Sequence, residues 1–94
     1  MALNNDRLKW YQTRGVAASI EENEAFRNDV FRAVERYLSG DWGEVPEEDK
    51  QANNSDIAAQ CGRVVARYKT CIDDIYIITD GDFETTTILF CDEY

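Results

Sequence analysis

Apolar and polar positions alternate along the chain in ways that predict both helices and strands. A four-residue spacing of apolar side chains indicates one face of a helix over about residues 21–39. The residues with this spacing are Phe26, Val30, Val34 and Leu38. Ser19 and Glu22 fit a capping box at the start, and Gly40 stands where a left-handed residue commonly ends a helix. The pattern therefore predicts a long amphipathic helix.

Pro46 suits the first turn of a second helix, because proline has no backbone N–H to leave unpaired there. The acidic residues at 47–49 suit its positively polarised start, and Gly62 ends the segment. Its apolar side is weak and consists of Ala52, Ile57, Ala58 and Ala59. The polar run at 53–56 leaves open a division into two short helices.

Two-residue periodicity predicts strands before and after these helices. Residues 7–13 alternate around Leu8 and Trp10, which favours a short strand or an extended arm. After Gly62 the alternation returns, and Asp-Gly-Asp at 80–82 indicates a hairpin turn. We therefore predict an α+β fold with two helices packed on a three- to four-stranded antiparallel sheet. Its order is an N-terminal strand, two helices and a C-terminal β-meander, in a single domain over 1–94 with a flexible tail at 1–6.

Charge narrows the classes of function. The 94 residues include 19 acidic and 10 basic side chains and no histidine, for a net charge of -9. From Thr70 onward there are seven carboxylates and no Lys or Arg. This charge repels nucleic acid and anionic membranes and favours a basic partner. No secretory signal or bilayer-spanning apolar stretch is visible, which favours a cytoplasmic protein.

The residues give little support for catalysis. Histidine, the usual proton-transfer group, is missing, and no nucleophile motif or phosphate-binding glycine loop occurs. We therefore expect no enzyme activity and no cofactor. Asp80, Asp82 and Glu84 only partly resemble a calcium loop, because Cys91 stands where the bidentate Glu is needed. Hairpin-turn chemistry explains them without a metal.

Two further features each leave an alternative open. The three cysteines form no CxxC pair and favour reduced thiols, although a disulfide between two of them is an alternative. A basic stripe of Arg63, Arg67 and Lys69 suits a solvated strand face better than an RNA-contacting sheet. We therefore expect no direct nucleic-acid binding.

The acidity itself is the remaining candidate for function. It either serves solubility or imitates the phosphates of a nucleic acid in a basic channel. Two acidic stretches, 41–49 and 73–93, are the predicted partner-binding segments, with Trp42 and Tyr94 as aromatic anchors. The candidate residues are Asp41, Trp42, Glu44, Glu47, Glu48, Asp49, Asp73, Asp74, Asp80, Asp82, Glu84, Asp92, Glu93 and Tyr94.

An ordered series of short motifs spans residues 13–94. The series runs Thr13-Arg-Gly-Val16, Gly40-Asp-Trp-Gly43, Glu48-Asp49, Asn53 or Asn54, Gly62-Arg63, Tyr68, Ile77-Ile-Thr79, Thr86-Thr-Ile88 and Asp92-Glu-Tyr94. It resembles a family of small, largely uncharacterised proteins of plasmids, phages and integrated elements, some loosely associated with restriction-modification. The chain departs from this family at Tyr76, where many relatives have Trp, and at Phe90-Cys91, where they have a proline-containing end.

The resemblance supplies no catalytic residues and implies a setting in mobile elements. It favours an anti-CRISPR or anti-restriction protein, acting as a monomer or homodimer. Such a protein would inhibit a CRISPR effector or restriction-modification enzyme by covering a basic nucleic-acid-binding surface. The alternative is a non-inhibitory interaction module for replication, conjugation or DNA modification, with Trp42 in the core. A third hypothesis, a metal-dependent nuclease subunit, requires a carboxylate cluster assembled by the fold.

Overall fold

The computed structural model describes residues 3–94, which form three α-helices and a four-stranded sheet. In chain order the elements are β1 (Lys9–Gln12), α1 (Arg14–Glu22), α2 (Glu24–Leu38), α3 (Glu47–Ala59), β2 (Val64–Tyr68), β3 (Ile75–Thr79) and β4 (Thr85–Phe90). Short 3-10 turns cover Asn5–Arg7 and Cys91–Glu93. The predicted α+β class is confirmed.

The strand order is β1-β4-β3-β2, and β1 runs parallel to β4. The sheet is therefore mixed, and the prediction of an antiparallel sheet throughout was wrong at this strand. Lys9 pairs with Thr85 and Gln12 with Ile88. A tight hairpin forces its two strands to be antiparallel, but all three helices separate β1 from β4, so no such turn fixes the direction of β1.

The predicted helix over 21–39 corresponds mainly to α2, and a further helix, α1, precedes it and meets it at Asn23. The prediction of two helices was therefore wrong, because no helix was expected over most of residues 14–22. Asn23 has an extended backbone (φ -132°), and its side-chain oxygen accepts a hydrogen bond from Phe26 N at 3.0 Å. It therefore caps α2, whereas Thr13 caps α1 by accepting from Val16 N. The predicted capping box was wrong, because Ser19 lies inside α1 and its carbonyl accepts from Asn23 N.

The apolar stripe of α2 packs on one face of the sheet. Phe26, Val30 and Tyr37 are buried, and the Phe26 ring lies 5.4 Å from the ring of Phe90 on β4. At the end of the helix Gly40 has φ +85°, and Asp41 N donates to Arg36 O at 2.9 Å. These features confirm both the apolar face and the glycine stop.

α3 is a single continuous helix, as predicted, but it buries a polar residue. Pro46 is its N-cap, and Gln60, with φ +54°, ends it before Gly62 is reached. Asn53 is the buried member, whereas Ala52 is exposed and Ile57 is half-buried. The predicted alanine side of this helix therefore does not form its contact with the rest of the molecule.

The core lies between the helices and one sheet face. Ile78 and Leu89 are also buried, but they belong to the opposite face and stand outside the main core cluster. Leu3, which the sequence analysis assigned to a flexible tail, is a buried member of that cluster. Residues 1 and 2 of that predicted tail lie outside the described part of the chain. Within 3–94 no helix is long and apolar enough to cross a membrane.

Candidate interaction surface

The first predicted acidic stretch begins in a loop that runs along the outer edge of β2. Glu44 N donates to Arg67 O at 2.7 Å, and Arg67 N donates to Trp42 O at 3.2 Å. Gly43, between them, has φ +75° and forms a bridge with Arg67. We call residues 41–45 the edge-covering loop. The edge-covering loop hydrogen-bonds to the outward-facing N–H and C=O groups of Arg67, as a short neighbouring strand would.

Asn53 pairs the next outward-facing peptide of the same edge. Its side-chain nitrogen donates to Val65 O at 2.8 Å, and its side-chain oxygen accepts from Val65 N at 3.2 Å. The side-chain amide of Asn53 on α3 thus forms the two hydrogen bonds that the backbone of a neighbouring strand would otherwise form with Val65. Asn54 next to it accepts from the Trp42 indole nitrogen at 3.0 Å, which ties α3 to the edge-covering loop.

Trp42 belongs to the core. Its side chain is 2% exposed, and its ring lies edge-on to Tyr37 with 5.4 Å between centroids. A partner cannot contact this ring without opening the fold, so we assign Trp42 a structural role. This position agrees with the alternative in which Trp42 packs in the core.

Asp41 is half-exposed and already has internal partners. Its carboxylate accepts from Arg36 Nε at 2.8 Å and from Gly43 N at 3.0 Å. The Arg36 hydrogen bond is the largest cause that holds the pKa of Asp41 below its usual value. Its backbone oxygen also accepts from the Tyr68 hydroxyl at 2.7 Å. Asp41 therefore anchors the edge-covering loop.

The first turn of α3 presents three consecutive exposed carboxylates, Glu47, Glu48 and Asp49. Among the described residues none of the three forms an ion pair, and the positive end of the helix dipole stabilises them. Glu44, just before the helix, lies 3.7 Å from Lys69 Nζ. α3 starts beside Arg67 and passes Val65, so this charge lies at the end of the sheet where β2 finishes.

The second predicted acidic stretch is divided between the two ends of β3. Asp73, Asp74 and Asp92 line one shallow cleft where β3 begins. Asp80, Asp82 and Glu84 lie at the hairpin after β3 ends. A strand of five residues spans roughly 17 Å, so the two groups cannot act as one compact patch.

Several of these carboxylates are engaged within the fold. Asp74 lies 2.9 Å from Arg67 and Asp80 lies 3.5 Å from Arg63. Asp82 accepts from the backbone nitrogens of Glu84 and Thr85, both at 2.9 Å, and these bonds lower its pKa. It therefore organises the hairpin turn, in agreement with the interpretation of Asp-Gly-Asp as turn chemistry.

Glu93 and Tyr94 have different surroundings. Glu93 accepts from Phe90 N at 2.8 Å and from the Thr13 hydroxyl at 2.7 Å, which joins the end of β4 to the start of α1. Tyr94 is 64% exposed and packs edge-on against Tyr76, at 5.5 Å between centroids. Its hydroxyl accepts from Arg63 at 2.9 Å. Tyr94 is therefore the predicted anchor that remains accessible.

The basic stripe does not carry free positive charge. Each of its three members lies within 4 Å of a carboxylate. The pairs are Arg63 with Asp80, Arg67 with Asp74, and Lys69 with Glu44. Exposed pairs of this kind neutralise charge and contribute little stability, which fits the solvated-face interpretation.

The described cysteines are free thiols, and they belong to no group of potential metal ligands within residues 3–94. Cys61 and Cys71 are exposed and free, and Cys91 is a free, half-buried thiol. Partial loss of solvent contact is the largest cause that raises the pKa of both Cys71 and Cys91, and the nearby Asp29 carboxylate adds to the effect at Cys71. No group of three or more potential metal ligands is found within residues 3–94.

Sequence reasoning missed α1 and two further features. It left open that the polar run at 53–56 divides the second helix, and it assigned no role to Asn53, which the structure buries and pairs with Val65. It also missed that β1 forms a sheet edge. The alternation at 7–13 indicated the strand, but the identity of its neighbour depends on the whole topology.

The chain is thus an α+β protein with a mixed sheet, and its exposed carboxylates occur at several places on the molecule. No protein-family model, no curated protein and no solved structure matches it.

Proposed function

We propose that the chain is a non-enzymatic protein that binds a basic surface of a partner protein. The observation that carries this proposal is a set of carboxylates with no side-chain hydrogen bond or ion pair among the described residues. Exposed carboxylates without such partners also occur on α1 and α2, at Glu21, Glu22, Glu24 and Glu35. The members near the end of β2, which we call the acidic surface, are Glu47, Glu48, Asp49, Asp73 and Asp92. All five are exposed.

The acidic surface lies at one end of the sheet. α3 begins beside the last residues of β2, and the cleft with Asp73 and Asp92 adjoins the loop that follows β2. The Lys69–Glu44 and Arg67–Asp74 contacts lie between the two groups and neutralise the intervening cations. Long-range attraction would speed association with a basic partner, and its strength would fall as salt is added.

The resemblance to mobile-element proteins suggests the partner class. We propose a host defence nuclease complex, either a CRISPR effector or a restriction-modification enzyme, whose basic nucleic-acid-binding surface the carboxylates would occupy. The alternative partner is replication, conjugation or DNA-modification machinery. Co-purification from the native host followed by mass spectrometry separates these two classes.

The first prediction concerns charge at this surface. A triple variant, Glu47→Gln with Glu48→Gln and Asp49→Asn, should weaken binding to the recovered partner about tenfold or more at low salt. The matched control is Glu21→Gln with Glu22→Gln and Glu24→Gln, which removes the same charge from exposed positions on α1 and α2. Titration calorimetry at two salt concentrations is the measurement. Equal losses in both variants, or affinity that ignores salt, would contradict a specific acidic surface.

A further inference from the structure

The edge strands β1 and β2 differ in whether their outward-facing backbone N–H and C=O groups have hydrogen-bond partners. On β2, the groups of Val65 and Arg67 are paired by Asn53 and by the edge-covering loop. On β1, Lys9 N donates to Glu84 O at 2.7 Å and Thr13 N donates to Ile88 O at 3.1 Å. In a parallel ladder alternate residues face the partner strand, so Trp10 and Gln12 direct their peptide groups away from the sheet. Over residues 3–94, no hydrogen bond outside the β1–β4 ladder uses those groups.

This open edge carries positive charge on a negative protein. The stretch from Arg7 to Arg14 includes Lys9 and no acidic residue. Arg7, Lys9 and Arg14 are exposed, and in the described part of the chain none of them forms an ion pair. Arg63, Arg67 and Lys69, on β2 or next to it, are each paired with a carboxylate. Three of the five cations without an ion pair among the described residues therefore lie in the stretch that contains the open edge, and the other two are Arg27 and Lys50. Lys9 also helps to lower the pKa of Asp82, so Asp82 is its acidic neighbour.

We propose that the open edge of β1 binds an extended, acidic segment of a partner protein as a fifth strand. The outward peptide groups of Trp10 and Gln12 would form main-chain hydrogen bonds with the added strand. Lys9 on the strand, with Arg7 before it and Arg14 after it, would favour a segment that carries carboxylates. Tyr11, which is 55% exposed, offers an aromatic contact on the sheet face.

Charge disfavours a second copy of this chain as the occupant. Pairing two β1 strands would bring Arg7, Lys9 and Arg14 of one molecule against the same three cations of another. Like charges on neighbouring strands destabilise pairing, and lysine on an edge is a common obstacle to self-association. An added strand with acidic side chains would be attracted to these cations, so charge favours its pairing with β1.

This inference does not rest on the proposed function. The α3 part of the acidic surface adjoins β2, and β1 is the other edge of the sheet. Changes at Glu47, Glu48 and Asp49 should leave peptide binding at β1 intact, and changes at Lys9 should leave the acidic surface intact. Failure of either idea is therefore distinguishable from failure of the other.

The second prediction is tested with three synthetic peptides and the full chain. One fluorescent peptide alternates Glu and Val, a second replaces each Glu by Lys, and a third keeps the Glu residues but methylates alternate backbone nitrogens. We expect the first peptide to bind about tenfold or more tightly than the other two by fluorescence anisotropy. Amide exchange at Trp10 and Gln12, followed by NMR, should slow only with the first peptide.

Variants of the protein give an independent test. Lys9→Glu should weaken binding of the Glu peptide, whereas Lys50→Glu, which reverses a cation on α3, should not. Gln12→Pro removes an outward N–H, and Gln12→Ala is its control because it retains that N–H. If Gln12→Pro fails to fold, the Lys9 pair of variants and the methylated peptide still decide the question.

Three results would overturn the proposal. The first is equal affinity for the Glu and Lys peptides, and the second is equal affinity for the methylated peptide. The third is slow amide exchange at Trp10 and Gln12 in the free protein that depends on protein concentration, since that result would place a second copy on the edge.

Discussion

The helices α2 and α3 are held against the same sheet by different physical means. α2 buries four side chains along one stripe, Phe26, Val30, Ala33 and Tyr37, and its attachment is mainly hydrophobic. α3 buries only Asn53 and is attached through amide hydrogen bonds to an edge strand. A helix attached in this way needs no apolar stripe, so its other faces are free to carry charge.

The difference has a consequence for surface chemistry. Glu47, Glu48 and Asp49 form the first turn of α3, a helix whose one buried residue is Asn53. Because Asn53 provides the main buried contact of α3, all three carboxylates remain in water. Attachment of α3 through polar contacts therefore leaves the charged residues of its first turn exposed to solvent.

The largest expected effect comes from Gly43, in the edge-covering loop that precedes α3. Gly43→Ala would place a Cβ 2.0 Å from Arg67 O and 2.8 Å from the Tyr68 ring, at a residue with φ +75°. The loop must then leave β2, and we expect a loss of about 3–5 kcal/mol in the free energy of unfolding. Urea denaturation followed by circular dichroism measures this loss.

Gly81→Ala is the control for that variant. Its Cβ would lie 3.5 Å from Gly62 O, which is an ordinary contact, and Gly81 has no positive φ. Its stability should change by less than about 1 kcal/mol. Similar losses in both glycine variants would mean that the edge-covering loop has no special role in holding α3.

The next largest effect is expected for Asn53, whose substitution tests the hydrogen bonds that attach α3 to β2. Asn53→Ala removes both hydrogen bonds to Val65 and leaves a peptide N–H and C=O of β2 without partners, at a position 4% exposed. We expect a loss of about 2–4 kcal/mol in the free energy of unfolding, although alanine favours the helix. Chemical denaturation is again suitable, and amide exchange at Val65 should accelerate.

Ser55→Ala provides the comparison on the same helix, because Ser55 is exposed and its side chain forms no hydrogen bond in the described region. Its stability should be unchanged or slightly raised. Were Asn53→Ala equally harmless, α3 would have to be held by Ile57 and its loops, and the contrast with α2 would disappear.

The same contrast explains which parts of the fold the sequence predicts. The stripe of α2 and the stop at Gly40 are local patterns, so they could be read directly. The break at Asn23 was missed because the Ser19–Glu22 pattern is also a valid cap, and only α1 packing shows which cap is used. The parallel direction of β1 and the pairing of Asn53 with Val65 depend on contacts distant in sequence, which periodicity does not encode.

For the candidate surface, the sequence indicated which segments are acidic but not which of their side chains have partners within the fold. Charge density indicated the acidic residues of α3 correctly as exposed, since three adjacent carboxylates have no place in a core. Sequence reasoning did not show that Trp42 is buried, that Asp74 and Asp80 form ion pairs, or that Glu93 fastens β4 to α1. Each of these depends on which side chains the topology brings together.

The smallest expected effect concerns Asp41, which fastens the edge-covering loop to α2 through Arg36. Its pKa is lowered in the folded state, chiefly by the Arg36 hydrogen bond, so it binds protons more weakly there than in the unfolded chain. The stabilisation is therefore present above the unfolded pKa and is lost as pH falls through the folded pKa. Because the side chain is 48% exposed, solvent screening limits the contribution to about 0.5 kcal/mol.

Asp41→Asn should accordingly lower the free energy of unfolding by this small amount near neutral pH, and by less as the pH falls through the lowered pKa of Asp41 and the wild-type carboxylate becomes protonated. Urea denaturation at several pH values measures the gap between the two proteins. Glu35→Gln, which removes an exposed carboxylate without an ion pair among the described residues, controls for net charge. The absence of any gap at neutral pH would contradict a role for the Asp41 charge, because asparagine retains an oxygen that can accept from Gly43 N. The edge-covering loop would then be held without help from Arg36 on α2.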